Sequence, residues 1–481
     1  MKIKSNSTPS QVSGVVKVYA VITGVVILLM MLFGLTMRLT QAQVLSIDPV
    51  MFYQLMTAHG IGMVAIAGLG GSAVMWHFLS KYVNLRAGLA WANLGFFLAG
   101  VVLVLGGIFL GGFAAAWTFL YPLPSNSMGM WSQAAAASYM GGVLLVGVGM
   151  LLFYLETARG IIQKYGNFTK SLGWHYLKNG QDAPPVTVIA STVVTIINIV
   201  AILIGAVILS MMLINLYVPE IVISALLAKN LIFIFGHTFI NSAIYMAVIA
   251  LYEILPIYTG RPWKLYKPFV LAWSATIIMV LTVYPHHMLM DFAQPVWMHI
   301  MGQIISYASS LPVLAITLTG TLGAVYRSNI KWDMTSSLLV LSIFGWSAGV
   351  IPAVIDGTIA FNHVMHNTMW VPGHFHLYLL LGCVTMILAF ISWIAKNEKP
   401  AAGFSGFEKT MLWTFAGSAF AFTMVFLMSG EASVPRRMAV HLPEWVWYSQ
   451  VASLFAAGIV ISAMFIIIRA LSGVIKPAQQ G

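Results

Sequence analysis

"GHFHLYLLLG", residues 373–382, carries two histidines two positions apart at the start of an otherwise apolar stretch. On an α-helix, positions i and i+2 lie about 200° apart, so His374 and His376 leave opposite sides of one helix. An ionisable ring at membrane depth is costly and is kept for a function or a polar partner. One helix thus offers an imidazole on each flank to two different partners, and the rest of the chain can be read outward from that arrangement.

The 481 residues are 60% hydrophobic and 7% charged, with a mean hydropathy of +0.91. A soluble domain needs far more surface charge. Twelve apolar stretches reach spanning length, at about 15–42, 51–80, 87–117, 134–157, 187–217, 227–254, 266–284, 296–325, 335–360, 371–395, 408–428 and 445–470. With no water to satisfy backbone groups, continuous apolar segments of this length must be helices. The expected fold is an all-α polytopic membrane protein, with residues 1–481 forming one membrane domain. Met1–Gln11 is short and polar, and the first apolar stretch is too long for a signal h-region, so no cleavable signal is expected. Thr157–Pro185 reads as the longest internal polar loop.

The net charge of +11 does not indicate nucleic acid, because of where the cations fall. With the N-terminus in the cytoplasm, only Arg38, Lys229, Arg436 and Arg437 of the 23 Lys and Arg lie outside. This positive-inside bias places both termini in the cytoplasm of a cell that inserts the chain into its inner membrane. The lone Cys383 excludes a disulfide framework, a thiolate metal cluster and a CxxCH haem attachment within this chain.

Of the twelve histidines, six cluster by depth. His59, His237, the pair His286 and His287, and the pair His374 and His376 come from four spans, and all fall in the outer half of the membrane. In "YPHHMLMD", Pro285 breaks the helix, so adjacent imidazoles can turn towards one metal. His237 can supply a third. Three imidazoles without carboxylate or thiolate suit copper, with zinc or iron as alternatives. His59 with one of the 374/376 pair would make a bis-imidazole set for a low-spin haem. The other would be the single ligand of an open, reactive haem.

Six histidines in that order on twelve spans resemble subunit I of the haem–copper oxygen reductase superfamily over essentially the whole chain. "VMHNTMWVPGHFHLYLLLG" (364–382) resembles the B-type branch. "TAHGIGM" (57–63) is similar to its second-helix motif and "SVPRRM" (433–438) to the arginine pair that holds haem propionates. The resemblance implies that His59 and His376 bind the iron of a low-spin b-type haem and that His374 binds a high-spin haem of b or a type. It implies that His237, His286 and His287 hold the copper called CuB. Arg436 and Arg437 would meet propionates, with His366 and Asn367 in the same region.

One position departs from the pattern. In A- and B-type oxygen reductases a tyrosine four residues after the first copper histidine donates an electron and a proton when the O–O bond breaks. That position is Asn241 here, and the C-type equivalent is Val280. Tyr245 and Tyr284 are the nearby substitutes. Loss of the tyrosine suits the two-electron reduction of nitric oxide, as in copper-containing nitric oxide reductases that resemble B-type oxidases. The expected activity is therefore reduction of NO to N₂O, with Asn241 donating a hydrogen bond to a bound nitrogen oxide. Electrons would come from a second subunit with a CuA cupredoxin domain, or from a cytochrome c. The alternatives are a B-type-like cytochrome c oxidase reducing O₂ and, from another class, a twelve-span transporter. Asp291 and Asp356 are the acids beside the outer half. Ser306, Ser309, Thr317 and Thr319 could line a polar path or pack helices.

Overall fold

The computed structural model describes residues 13–475 apart from 181, 310 and 402. Lys2, Lys4 and Lys476, and the Met1–Gln11 segment read for a signal, lie outside the described residues. Among the described residues there are twelve helices long and apolar enough to cross a membrane, and no strand. They are α1 (Gly14–Gln41), α2 (Pro49–Leu79), α3 (Ala87–Leu110), α4 (Gln133–Tyr165), α5 (Val186–Tyr217) and α6 (Ala225–Thr259). α7 (Lys267–Met288), α8 (Val296–Val325), α9 (Met334–Asp356), α10 (Trp370–Ile394), α11 (Gly406–Glu431) and α12 (Pro443–Ile475) follow.

Polar residues set where these helices begin. The Asp48 side chain accepts from Val50 N ahead of Pro49 at the first turn. Asp333 with Ser336, and Ser405 with Glu408, form reciprocal capping boxes that open α9 and α11. One boundary corrects the sequence reading. The expected loop from Thr157 begins as helix: α4 runs on to Tyr165, and two short helices, Phe168–Ser171 and Trp174–Asn179, follow. Polarity there marks the exit from hydrocarbon rather than the end of hydrogen bonding. Glu156 and Arg159 pair along that extension, and Arg159 Nη2 also donates to Asn84 O at 2.9 Å. α3, in turn, ends at Leu110 through a π turn, short of the apolar limit.

α10 is the centre of the bundle. Every residue from Leu377 to Ile394 is buried, and a hydrophobic interior on all sides requires a helix apolar all round. Its closest neighbour is α9, whose Gly345 and Gly349 stand four apart on one face. A Cβ at Gly345 would meet Leu381 Cβ at 2.4 Å and the Leu381 backbone carbon at 2.5 Å. A Cβ at Gly349 would sit 3.0 Å from Tyr378 N. Small residues let backbones approach in this way, and the resulting van der Waals contact replaces the hydrophobic drive that lipid does not supply. On the α10 side the contact falls in a π-helical stretch, Leu377–Val384, of the kind that recurs beside functional sites. α7 closes in a 3₁₀ turn over Tyr284–Met288, with Pro285 at its start.

Replacing Gly345 by Ala forces the α9–α10 contact apart. It is expected to cost about 1–3 kcal/mol and to lower the thermal unfolding midpoint of the purified protein.

Candidate functional site

A cavity of about 900 Å³ opens between α1, α2, α6, α7, α10 and α11, and all six of the clustered histidines line it. The helix break at Pro285 brings His286 and His287 together with His237 of α6. One nitrogen from each of the three lies within 4.8 Å of the other two. Nδ1 of His237 is 2.9 Å from Nε2 of His287, roughly the spacing of two ligands that each sit about 2 Å from one metal. The rings stand edge to face, His286 against His287 at 4.4 Å and against His237 at 4.7 Å between centroids. Nδ1 of His286 lies 3.0 Å from Ser306 Oγ, which leaves Nε2 as its ligating atom. Phe233, one turn before His237, stacks on His287 with a 10° tilt. The donor set is three imidazoles, with Ser306 bonded to His286, Asn241 to His237 and Phe233 stacked on His287, which suits a copper ion.

Across α10, His59 and His376 face each other nearly parallel, 16° apart, with ring centroids 6.3 Å apart. An iron bonded to one nitrogen of each ring at roughly 2 Å requires about this separation. The remaining nitrogens are already committed: Nδ1 of His59 to Met30 O at 2.7 Å and Nδ1 of His376 to Pro372 O at 2.7 Å. His374 follows the same rule on the opposite flank, with Nδ1 3.1 Å from Gly349 O. Each ring therefore holds its proton on Nδ1 and presents Nε2. The two-residue spacing in GHFH separates the sites as expected. His376 turns to His59, and His374 opens into the cavity that holds the three-histidine cluster.

The rim is basic. An antiparallel bridge between Thr368 and Pro435, with Arg436 N donating to Asn367 O at 3.0 Å, ties the loop before α10 to the loop after α11. Arg436 is half-buried beside Arg437. Burial and that neighbouring charge push the Arg436 guanidinium down to about 10, with Asp356 opposing. Arg437 Nη2 donates to Thr118 Oγ1 at 2.5 Å. Nδ1 of His366, nearby, is buried with no hydrogen-bond partner. Two adjacent guanidiniums and an orphaned imidazole nitrogen fit carboxylates of a bound group such as haem propionates.

Asn241 is engaged at both ends of its amide. Nδ2 lies 2.5 Å from His237 Nε2, and Oδ1 accepts from the Tyr378 hydroxyl at 2.9 Å. Tyr378 was not among the sequence candidates. The available signal was its place four residues after His374, on the same side of α10. Tyr245 packs edge-on against Trp273 and Trp346 instead, and Tyr284 sits in the 3₁₀ turn. Asp291 is paired with Lys229 at 2.6 Å. Asp356 caps the loop after α9 by accepting from Asn362 Nδ2. Of the α8 hydroxyls, Ser306 serves His286. Ser309 and Thr319 bond back to their own helix, and Thr317 meets Tyr252 at 2.7 Å.

Residues 14–458 match the family model described as "Cytochrome C and Quinol oxidase polypeptide I". The chain belongs to the haem–copper oxidase subunit I superfamily. It is similar to cytochrome c oxidase subunit 1 of Thermus thermophilus, 23% identical over 436 residues, covering 85% of this chain and 74% of that one. A cytochrome c oxidase polypeptide 1 of Halobacterium salinarum is 23% identical across 87% of this chain and 70% of its own length. A "Heme-copper oxidase subunit I+III" of Aeropyrum pernix is 25% identical over 239 residues, so the match spans 28% of that longer protein. The solved structure of a heme-copper terminal oxidase dimer shares the fold, with a TM-score of 0.79 at 20% identity over 96% of this chain and 84% of that one. The chain is thus a multi-pass membrane oxidoreductase of a family whose subunit I binds haems and CuB and works with other subunits and electron donors. That membership removes the transporter alternative.

A His287→Ala variant leaves two of the three clustered nitrogens. Its copper content, measured by elemental analysis of the purified protein, is expected to fall well below one per chain while the reduced haem absorbance persists.

Proposed function

We propose that this chain is the catalytic subunit of a membrane-bound nitric oxide reductase, catalysing 2 NO + 2 e⁻ + 2 H⁺ → N₂O + H₂O. The observation that carries the reading is Asn241, which occupies the ring-edge position beside His237 Nε2 where the resembled oxygen reductases have a redox tyrosine. An amide cannot supply an electron, and NO reduction needs only two. A low-spin haem would be held by His59 and His376, a high-spin haem by His374, and copper by His237, His286 and His287. When bound, these groups supply the redox chemistry and the site for the nitrogen oxides.

The chain's own residues do the remaining work. Backbone carbonyls of Met30, Pro372 and Gly349 fix the tautomers of the haem-side rings. The covalent path His374–Phe375–His376 joins the two haem positions on one helix. Arg436 and Arg437, with His366 and Asn367, receive propionates at the rim. Asn241 Nδ2 carries two hydrogens and needs only one for a neighbouring side chain, so the other N–H is the donor offered to a bound nitrogen oxide. The amide lines the cavity, where a fixed donor counts for more than in water.

The charge bias supports an orientation with both termini in the cytoplasm of a prokaryotic cell and the Arg436 rim outside. Residues 1–481 act as one membrane domain. The donor is a CuA-bearing cupredoxin subunit or a cytochrome c, delivering electrons at that rim. A second reading, cytochrome c or quinol oxidase, draws on the names of the relatives and on Tyr378 lying within hydrogen-bond reach of Asn241.

Turnover separates the two readings. The purified complex is expected to form N₂O from NO anaerobically and to consume O₂ slowly. Rapid O₂ uptake with negligible N₂O would sink the proposal. Asn241→Tyr is expected to lower NO turnover roughly 100-fold, the scale for losing one fixed donor, and an unchanged rate would remove the amide from the mechanism.

A further inference from the structure

Tyr378 is 8% exposed and its hydroxyl is spent on a neighbour's amide rather than on the helix. A buried hydroxyl takes a partner, and here the partner is a side chain that itself meets a clustered histidine. The neighbour, Asn241, in turn spends its other end on His237. The three side chains form a line from α10 to α6: Tyr378 Oη, Asn241 Oδ1, Asn241 Nδ2, His237 Nε2. The opposite ring nitrogen of His237, Nδ1, faces His287.

That geometry has a chemical consequence for metal binding. A neutral imidazole carries one proton. If Nδ1 of His237 gives its lone pair to a metal, that proton must sit on Nε2. An Nε2–H cannot face an amide NH₂, since both are donors. The amide oxygen and nitrogen occupy nearly the same volume, so rotation of the Asn241 amide resolves the conflict: Nε2–H then donates to Oδ1, and Nδ2–H donates to Tyr378 Oη. Tyr378 is the group that makes this orientation complete, because it can accept as readily as it donates. Phenylalanine at 378 would leave an Nδ2–H of a half-buried amide facing carbon.

We propose that Tyr378 is a positioning residue of the three-histidine metal site: acting through Asn241, it sets the tautomer and ring orientation with which His237 meets the ion. In this role Tyr378, which lines the same cavity, acts through Asn241 and not by contact with the ion. Its position on the helix of His374 mechanically joins the two sides of the reactive cavity. The π-helical stretch that begins at Leu377 and the close approach allowed by Gly349 place its backbone for that reach. The inference rests on reading His237, His286 and His287 as the copper ligands, and it is independent of whether NO or O₂ is reduced.

The test is a double-mutant cycle on the purified holoenzyme, with Tyr378→Phe, Asn241→Leu and the double variant. Two readouts are used besides turnover. One is copper retention against a cuprous chelator, and the other is the C–O stretching band of carbon monoxide bound to the reduced copper. Haem absorbance serves as the folding control, and Tyr19→Phe, whose hydroxyl bonds Ala90 O away from the cavity, as a tyrosine outside the line. Tyr378→Phe is expected to weaken copper retention about tenfold, the lower end for loss of an outer-shell partner, and to shift the carbon monoxide band. In the Asn241→Leu background the same change should do almost nothing further. An unchanged band and unchanged retention in Tyr378→Phe overturn the proposal. So does a full Tyr378→Phe penalty that persists without Asn241, since that would be packing alone. Wild-type enzyme that holds no copper would instead refute the ligand reading on which the inference stands.

Discussion

A histidine that binds a metal through one nitrogen almost always gives the other a partner that fixes its tautomer and ring orientation, and most of the clustered rings here are held in that way. His59, His374 and His376 each commit Nδ1 to a backbone carbonyl, and His286 commits Nδ1 to Ser306. A carbonyl within a regular helix already accepts from four residues ahead, so each of the three carbonyl contacts is a second bond on the same oxygen. A carbonyl has two lone pairs to give, and the second can be reached only where two backbones come close or a ring folds back over its own turn. Gly349 shows the first case: the absence of a side chain brings α9 close enough for its carbonyl to meet His374. Pro372 shows the second, with His376 folding back one turn.

The same packing links stability to chemistry. α10 is buried on every side from Leu377 onward, so it gains no freedom from contact with lipid. Its position is set by Gly345 and Gly349 on one flank and by Gly373 and Gly430 near the rim. A Cβ on Gly430 would meet Trp370 N at 2.2 Å. Because His374, His376 and Tyr378 share this helix, a shift of α10 moves both histidines and the tyrosine together. The cavity is accordingly a rigid construction, in which ligand placement follows from backbone contact and not from side-chain adjustment.

Much of this was legible in the sequence, for definite reasons. Membrane spans announce themselves by length and apolarity, and a helix converts the two-residue spacing of His374 and His376 into opposed directions without further information. The break at Pro285 likewise signalled that His286 and His287 could converge, as they do in the 3₁₀ turn. What escaped depends on contacts between segments far apart in the chain. Tyr378 and Asn241 are 137 positions apart. A hydroxyl on α8 could be read as path or packing, and only the fold makes Ser306 the partner of His286. The extension of α4 beyond Thr157 escaped for a different reason: polarity reports where the bilayer ends, whereas the helix continues as long as its hydrogen bonds are met.

Asn241 illustrates how a substitution can keep a structural role while losing a chemical one. A tyrosine at this place would offer a phenolic oxygen to the edge of His237 and could give up an electron. The asparagine keeps a polar contact to the same ring edge but has no accessible redox state. It adds what a single hydroxyl lacks, a donor and an acceptor fixed in one plane, so it can face His237 with one end and Tyr378 with the other. The phenol has thus not vanished from the neighbourhood; it stands one residue further from His237, on α10, with the amide interposed. A tyrosine so placed can order the ligand through hydrogen bonds, while a covalent link between its ring and the imidazole is blocked by the side chain between them. That separation of ordering from electron supply is the physical ground for proposing a reaction that metals held there would complete with two electrons.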